Sequence, residues 1–343
     1  MPLRQFLGAL AYDGLRFERA VRGRWERMHN RSDAITIDPS GRGVRCEWQW
    51  ATPVDYCRFV PRADVRLLRA ALNEWPIGFA DAPSNDANPE VTFLIGHRGL
   101  SRLPQLLLTL RSIAAQSVVP FECVVVEQSP TRDAEQALPD WVRYIHQPAL
   151  RSDPYNRAKT FNAGAAAARG RILVLHDNDM LVPRRYAAEI VAHAAAGWEA
   201  IDLKRFIFYL TETATVRVLH DGRLRIDERS ETVIQNLHGG SVAITRDAYE
   251  AIGGLDEAFV GWGGEDIEFW ERAATRRATR FGYLPVVHLW HAPQPEKLKV
   301  NEAPAVKLYA ELAGVPAAER IARLKQKVRT ATGSPSSQHA EPE

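Results

Sequence analysis

Three short apolar runs, each closing on polar residues, constrain this chain more than any other feature. They are VTFLIG (91–96), FECVVVEQS (121–129) and RILVLHDND (171–179). Runs of this length without polar alternation are expected for strands buried on both faces. Between them, SRLPQLLLTLRSIAAQS (101–117) and YNRAKTFNAGAAAARG (155–170) read as helices, the second ended by Gly170. Strand, helix, strand, helix, strand at this spacing predicts a parallel α/β sheet with right-handed crossovers. Ligands of such sheets sit at the carboxyl ends of the strands. His97, Arg98, Glu127, Asp177 and Asp179 fall at or just after those ends.

Beyond residue 200 the pattern loosens. RFIFYLTET and TVRVLHDGRLRID read as strands, the latter turning at Asp221-Gly222. Gly239-Gly240 leads into SVAITRDAYEAIGG, a strand running into a helix. EDIEFWERAATRR (265–277) reads as an amphipathic helix whose acidic first turn suits the positive end of the helix dipole. LPVVHLWHAP (284–293) reads as a strand entering a loop.

The ends are less informative. Residues 1–88 hold Trp25, Trp48, Trp50 and Trp75 and the strand-like VRCEWQW, and DAPSNDANP (81–89) reads as a linker. At the N-terminus, Leu3, Phe6, Leu7 and Leu10 form one helical face, expected to pack against the protein rather than lie on a membrane. The tail TGSPSSQHAEPE (332–343) is polar and expected to be disordered. No internal repeat is visible.

Composition narrows the function classes. A net charge of +2, from 44 basic and 42 acidic side chains, argues against a dedicated nucleic-acid binder. Cys46, Cys57 and Cys123 make no disulfide framework, which fits a reducing, cytoplasmic setting. No apolar run is long enough to span a bilayer, and charged residues interrupt the N-terminus too early for a signal peptide.

Three constellations can carry chemistry. In His176-Asp177-Asn178-Asp179 the two carboxylates close a buried strand, where a turn lets both approach one hard cation such as Mg²⁺ or Mn²⁺. A D-x-D triplet is common in turns, so its position after the third strand is what gives it weight. Gly261-Trp262-Gly263-Gly264-Glu265-Asp266 combines a flexible aromatic loop with two acids at a helix start, where a carboxylate can act as general base. The competing reading is a glycine turn with acidic capping. His288-Leu289-Trp290-His291 ends the last strand. Residues at i and i+3 of a straight strand face opposite ways, so both imidazoles reach one ion only if the chain bends, as Pro293 allows. Imidazole moves the preferred ion from Mg²⁺ towards Mn²⁺ or another transition metal. One histidine as ligand, His291, is favoured over the pair.

Taken together, YNRAKTFNAG with HDNDMLVP, HGGSVAITRDAYEAIGGLDEAFVGWGGEDIEFWERA and VVHLWH resemble the nucleotide-sugar-dependent glycosyltransferases of the GT-A fold. The chain looks like a bacterial family 2 member. Its C-terminal half is similar to the catalytic domain of the β-1,4-galactosyltransferases and polypeptide N-acetylgalactosaminyltransferases. The resemblance spans roughly residues 90–295. It implies a Rossmann-like mixed sheet flanked by helices over 89–295, an N-terminal extension over 1–88, a helical segment over 296–331 and the tail over 332–343.

The resemblance also implies roles. Asp177 and Asp179 match the metal-holding D-x-D, with Asp179 the more direct ligand, and His291 matches the metal histidine. His288 falls where galactosyltransferases carry a sulfur ligand. Gly96, His97, Arg98, Glu127, Arg157, Lys159, Asn178, Gly239 and Gly240 fall to the donor site. Trp262, Gly263 and Gly264 fall to the acceptor loop, Asp266 to the catalytic base and Glu265 to its neighbour in the sugar site. Leu237 replaces the bulky Tyr of galactose-specific relatives, which leaves room for an N-acetyl group. Relatives often carry S-D-V-D where this chain has HDND.

The expected reaction is metal-dependent inverting transfer of a hexose or N-acetylhexosamine, UDP-galactose or UDP-N-acetylgalactosamine favoured. The acceptor is a glycan, a lipid-linked molecule or a protein, with peripheral membrane association if it is lipid-linked. A nucleotidyltransferase would share much of the fold, but its triphosphate loop is not matched by GHRGLSRLP. A non-catalytic sugar-binding module would be expected to lack an acid or a metal histidine, yet Asp177, Asp179, Asp266 and His291 are all present.

Overall fold

The computed structural model describes residues 3–47, 51–84, 88–279, 281–293 and 302–332. Trp48, Trp50, part of the linker (85–87) and the tail after 332 lie outside the described residues.

The three apolar runs form strands Val91–His97, Phe121–Ser129 and Ile172–His176. They sit in a six-stranded sheet ordered Val142–Pro148, Phe121–Ser129, Val91–His97, Ile172–His176, Ser241–Thr245, Ala200–Ile201. The first four strands run parallel, and Ser241–Thr245 joins antiparallel to Ile172–His176. Buried Val and Leu side chains on both faces explain why these strands show no polar alternation.

A second sheet of five strands is ordered Thr52–Pro53, Ser230–Gln235, Lys204–Leu210, Leu284–His288, Met180–Leu181. Lys204–Leu210 and Leu284–His288 are parallel, and the other pairings are antiparallel. Helices flank both sheets, so the fold is mixed α/β. One register positions the site. Met180 pairs with His288 and Leu181 with Val287, which carries the chain just after Asp179 onto the strand that ends in His288.

The N-terminal residues complete the second sheet. Thr52 and Pro53 pair with Gln235 and Ile234. The buried Arg205 donates from Nε to the Glu26 carbonyl at 2.7 Å and from Nη2 to the Met28 carbonyl at 2.5 Å. Asp64 Oδ2 accepts from the Ser230 backbone N–H and Arg229 Nε, each at 2.9 Å. Phe17, Trp25, Met28, Leu67 and Leu68 join the same apolar core as Phe206, Phe208 and Val286.

Three local readings need correction. TVRVLHD is not a strand but part of helix Glu212–Asp221. The Thr211 side chain accepts from the Ala214 N–H as N-cap, and Ala214 and Val218 bury one helical face, which together override the β-branched residues. The helix expected to end at Gly170 spans Arg157–Ala167. Gly170 instead lies against Thr92, whose Oγ1 accepts its N–H at 2.9 Å. Finally, helix Leu3–Arg22 buries Ala9, Asp13, Phe17 and Ala20, while Leu3, Leu7 and Leu10 face outward. The small side chains let it sit close on Tyr56, which stacks on Phe17 at 4.4 Å.

Candidate active site

The carboxyl ends of the parallel strands meet the ends of the second sheet at Asp179. Its Oδ1 lies 3.6 Å from His288 Nε2 and its Oδ2 lies 3.4 Å from His291 Nε2. One ligand atom from each of these three residues falls within 4.8 Å of the others. The bend needed between the histidines is built by backbone bonds: Leu289 N–H donates to the Asp179 carbonyl at 2.8 Å and Trp290 N–H to Thr215 Oγ1 at 2.7 Å. The two imidazoles end with ring centroids 5.2 Å apart, and Tyr209 stacks on His288 at 4.4 Å. Both histidines therefore stand beside Asp179.

Asp179 is buried, which by itself would raise its carboxyl, but His288, Arg102 and His291 pull it below the usual carboxylate range. Arg102 Nη1 lies 3.2 Å from Asp179 Oδ2. A buried carboxylate facing two imidazoles is a fitting donor set for a divalent transition ion.

Asp177 points elsewhere. Arg157 donates to its Oδ1 from Nε at 3.0 Å and from Nη2 at 2.7 Å. Nη1 of the same guanidinium donates to Asp266 Oδ1 at 2.5 Å and lies 3.9 Å from Glu265. One arginine thus bridges the D-x-D segment and the acidic helix start. Burial, and secondarily the Asp266 charge, pushes Glu265 up to about 7. Burial likewise pushes Asp177 up to about 6, against the lowering effect of Arg157.

The Gly239-Gly240 turn braces this bridge. A Cβ on Gly239 would collide with Asp266 Oδ2, and one on Gly240 would collide with Met180. The Gly240 carbonyl accepts the Asp177 N–H at 2.8 Å. His238 stacks on Trp270 at 4.8 Å, while Leu237 is half-buried against the core. Gly261, Gly263 and Gly264 all adopt positive φ, so the loop carrying Trp262 takes a path side chains would strain. Helix Pro304–Leu312 lies over that loop: a Cβ on Gly264 would meet Tyr309, and one on Gly263 would meet Val306.

The other predicted donor residues spread around this centre. Asn178 is buried and its Nδ2 donates to His97 Nδ1 at 2.9 Å. Gly96 packs its bare backbone against Tyr155 and Thr160. Glu127 is buried and accepts from Tyr144 at 2.7 Å and the Ala134 N–H at 3.1 Å. Arg98 lies at the rim, donating to the Leu150 carbonyl at 2.9 Å. Lys159 is exposed and, with Gln128, His146, Gln147 and Asn156, lines an open hollow of about 530 Å³ whose lining does not include Asp179, His288 or His291. Sequence reasoning missed Arg102 and Tyr209. Arg102 reads only as a helix start and Tyr209 only as a strand residue, and nothing local marks either as a neighbour of Asp179.

Family comparisons define the class. Residues 101–253 match the family model for glycosyl transferase family 2, and residues 228–288 match the one described as the N-terminal domain of galactosyltransferase. Both matches are to glycosyltransferase models, which places the chain in the glycosyltransferase class of enzymes, and together they span residues 101–288 of its mixed α/β fold. No curated protein matches it. Among solved structures it is similar to a mannosyltransferase from Pyrobaculum calidifontis in complex with GDP-Man and Mn²⁺, at 16% identity over 80% of this chain and 88% of that one, TM-score 0.40. It is also similar to glucosyl-3-phosphoglycerate synthase from Mycobacterium tuberculosis in complex with Mn²⁺, UDP and phosphoglyceric acid, at 15% identity over 74% and 83%, TM-score 0.42. A third likeness is the catalytic domain of Drosophila β1,4-galactosyltransferase 7 with xylobiose, at 14% identity over 63% and 80%, TM-score 0.34.

Proposed function

We propose that this chain is a metal-dependent inverting glycosyltransferase that moves a hexose or N-acetylhexosamine from a UDP-sugar to a glycan, lipid-linked or protein acceptor. The observation that carries this reading is the convergence of Asp179, His288 and His291 beside the Arg157–Asp266 pair. Asp179, His288 and His291 would hold the ion, with Mn²⁺ favoured over Mg²⁺ by the two imidazoles. A divalent ion there supplies charge stabilisation for the departing diphosphate.

Asp266 takes the proton of an acceptor hydroxyl, which attacks the anomeric carbon from the face opposite the diphosphate. The new C–O bond forms as the old one breaks, and the proton remains on Asp266. Glu265 sits beside it in the sugar site. Arg157 fixes the Asp266 carboxylate relative to Asp177, so acid placement does not depend on the 261–264 loop alone. Gly261 to Gly264 let Trp262 cover the acceptor and limit water entry. Leu237 admits an N-acetyl group at the sugar C2 position, so UDP-N-acetylgalactosamine serves as well as UDP-galactose.

Release of free UDP from UDP-galactose and UDP-N-acetylgalactosamine, with and without Mn²⁺, tests this reading. Mn²⁺-dependent release is expected from both donors. No release from any nucleotide sugar, or release indifferent to metal, rejects the function. Exclusive use of UDP-galactose rejects the role given to Leu237.

A further inference from the structure

The N-terminal helix Leu3–Arg22 carries an apolar face that stands exposed among the described residues. Leu3 is 69% exposed, Leu7 52%, Leu10 38%, Tyr12 61% and Leu15 77%. These are five of the twelve large apolar side chains that stand exposed among the described residues, gathered on one helix. Leu3, Leu7 and Leu10 follow the i, i+4, i+7 spacing of a single stripe, set beside the buried Ala9, Asp13, Phe17 and Ala20. Isolated exposed leucines are ordinary on protein surfaces, but a periodic stripe is not.

The charge around the stripe is one-sided. Residues 3–31 hold seven arginines (Arg4, Arg16, Arg19, Arg22, Arg24, Arg27, Arg31) and only three acids up to Arg31, namely Asp13, Glu18 and Glu26. Each acid is engaged within the protein. Asp13 is buried and paired with Arg16 at 2.6 Å, Glu18 is held by Arg66 at 2.6 and 2.8 Å and also pairs with Arg22 at 3.4 Å, and Glu26 is buried against Arg24. Arg4 and Arg19 are exposed, and neither forms an ion pair among the described residues. At 100° per residue, Arg4, Arg19 and Arg22 line the polar margin beside the leucines. The Arg31 guanidinium lies 3.9 Å from the Tyr12 ring centre, which adds a cation above an exposed aromatic.

Apolar side chains along one edge, with the exposed Arg4 and Arg19 along the next, form the pattern of a helix lying in the headgroup region of a bilayer. We propose that helix Leu3–Arg22 docks this chain on an anionic membrane surface, its leucines entering the acyl boundary and its arginines meeting lipid phosphates. Anionic lipid is favoured over a protein partner because Glu18, the one partly exposed acid on this helix, is already tied to Arg66 and Arg22, while Arg4 and Arg19 stay exposed. The inference is independent of the catalytic reading, since docking is measured without donor or metal.

The test is co-sedimentation of the full chain with vesicles of phosphatidylcholine alone, or with about one-third phosphatidylglycerol, at low and high salt. Binding is expected on the anionic vesicles, weakening as salt rises. The double variant Leu7→Glu/Leu10→Glu is expected to lower partitioning about tenfold or more. Arg4→Gln/Arg19→Gln is expected to lower it by about fivefold per arginine. Both pairs face outward, so thermal unfolding should match the parent and separate lost docking from lost folding. The proposal is overturned if the parent ignores anionic vesicles, or if neither double variant changes its binding. It is also overturned if sedimentation velocity shows that the parent buries this face in a dimer which Leu7→Glu/Leu10→Glu separates.

Discussion

Arg157 Nη1 donates to Asp266 Oδ1 at 2.5 Å while its other two donors hold Asp177 Oδ1 at 2.7 and 3.0 Å. A guanidinium can serve two carboxylates at once because its donors form a rigid planar fork, whereas an ammonium is a single point charge. Arg157→Lys should therefore lower kcat/KM about a hundredfold, by loosening Asp266, the proposed base. Mn²⁺ affinity should stay within a few fold, because Arg157 touches none of Asp179, His288 or His291 in the described contacts. Metal titration and steady-state kinetics on the same variant check both halves.

Gly239 is set by steric contact with Asp266. Its bare Cα lies where any Cβ would strike Asp266 Oδ2. Gly239→Ala should displace Asp266 and lower kcat well before it lowers stability, which should fall by about 1–3 kcal/mol. Turnover and thermal unfolding measured together check this. An active, equally stable Ala variant would show that the turn relaxes freely.

The two histidines should contribute together. Both have a ring nitrogen within 3.6 Å of an Asp179 oxygen. His288→Ala and His291→Ala should each weaken Mn²⁺ binding by more than about tenfold, the loss already expected for disturbing a metal's supporting shell. Chelation should remove activity and added Mn²⁺ restore it. Isothermal titration of the two variants decides whether His288 ligates or only supports His291.

Glu265 gives a signed pH prediction. Its carboxyl is pushed from 4.5 to about 7, chiefly by burial and then by Asp266. Between those values the folded chain holds a proton that the unfolded chain has lost, so stability falls as pH rises through this window. Glu265→Gln removes that penalty. The variant should be more stable than the parent at pH 8, by about 1–3 kcal/mol in metal-free buffer. The gain should vanish near pH 4, where both side chains are neutral. Thermal unfolding across this range measures it.

Much of this architecture is legible in the sequence, for identifiable reasons. The three buried parallel strands announce themselves because both faces are apolar. The fourth parallel strand, Val142–Pro148, is half-exposed and polar at Arg143, His146 and Gln147, so no periodicity reveals it. Helix Glu212–Asp221 hides behind Val216 and Val218, and the Thr211 cap with core burial decides it. At the site, acids at strand ends and histidines after the last strand can be read directly. Arg102 stands at the start of helix Leu103–Ala114 and Tyr209 on the strand beside His288, its register partner, and only tertiary pairing brings them to Asp179 and His288. The N-terminal helix shows the opposite failure. Its leucines look like a packing face, yet Ala9, Asp13, Phe17 and Ala20 allow the closer approach.

Asp266→Asn tests the central claim most directly. Asparagine keeps the shape and one acceptor oxygen for Arg157 but cannot take the acceptor's proton. Donor binding in the presence of Mn²⁺ should persist within a few fold, measured by titration with a UDP-sugar, while transfer falls to background. Full retained transfer by Asp266→Asn would contradict the assignment of Asp266 as the base.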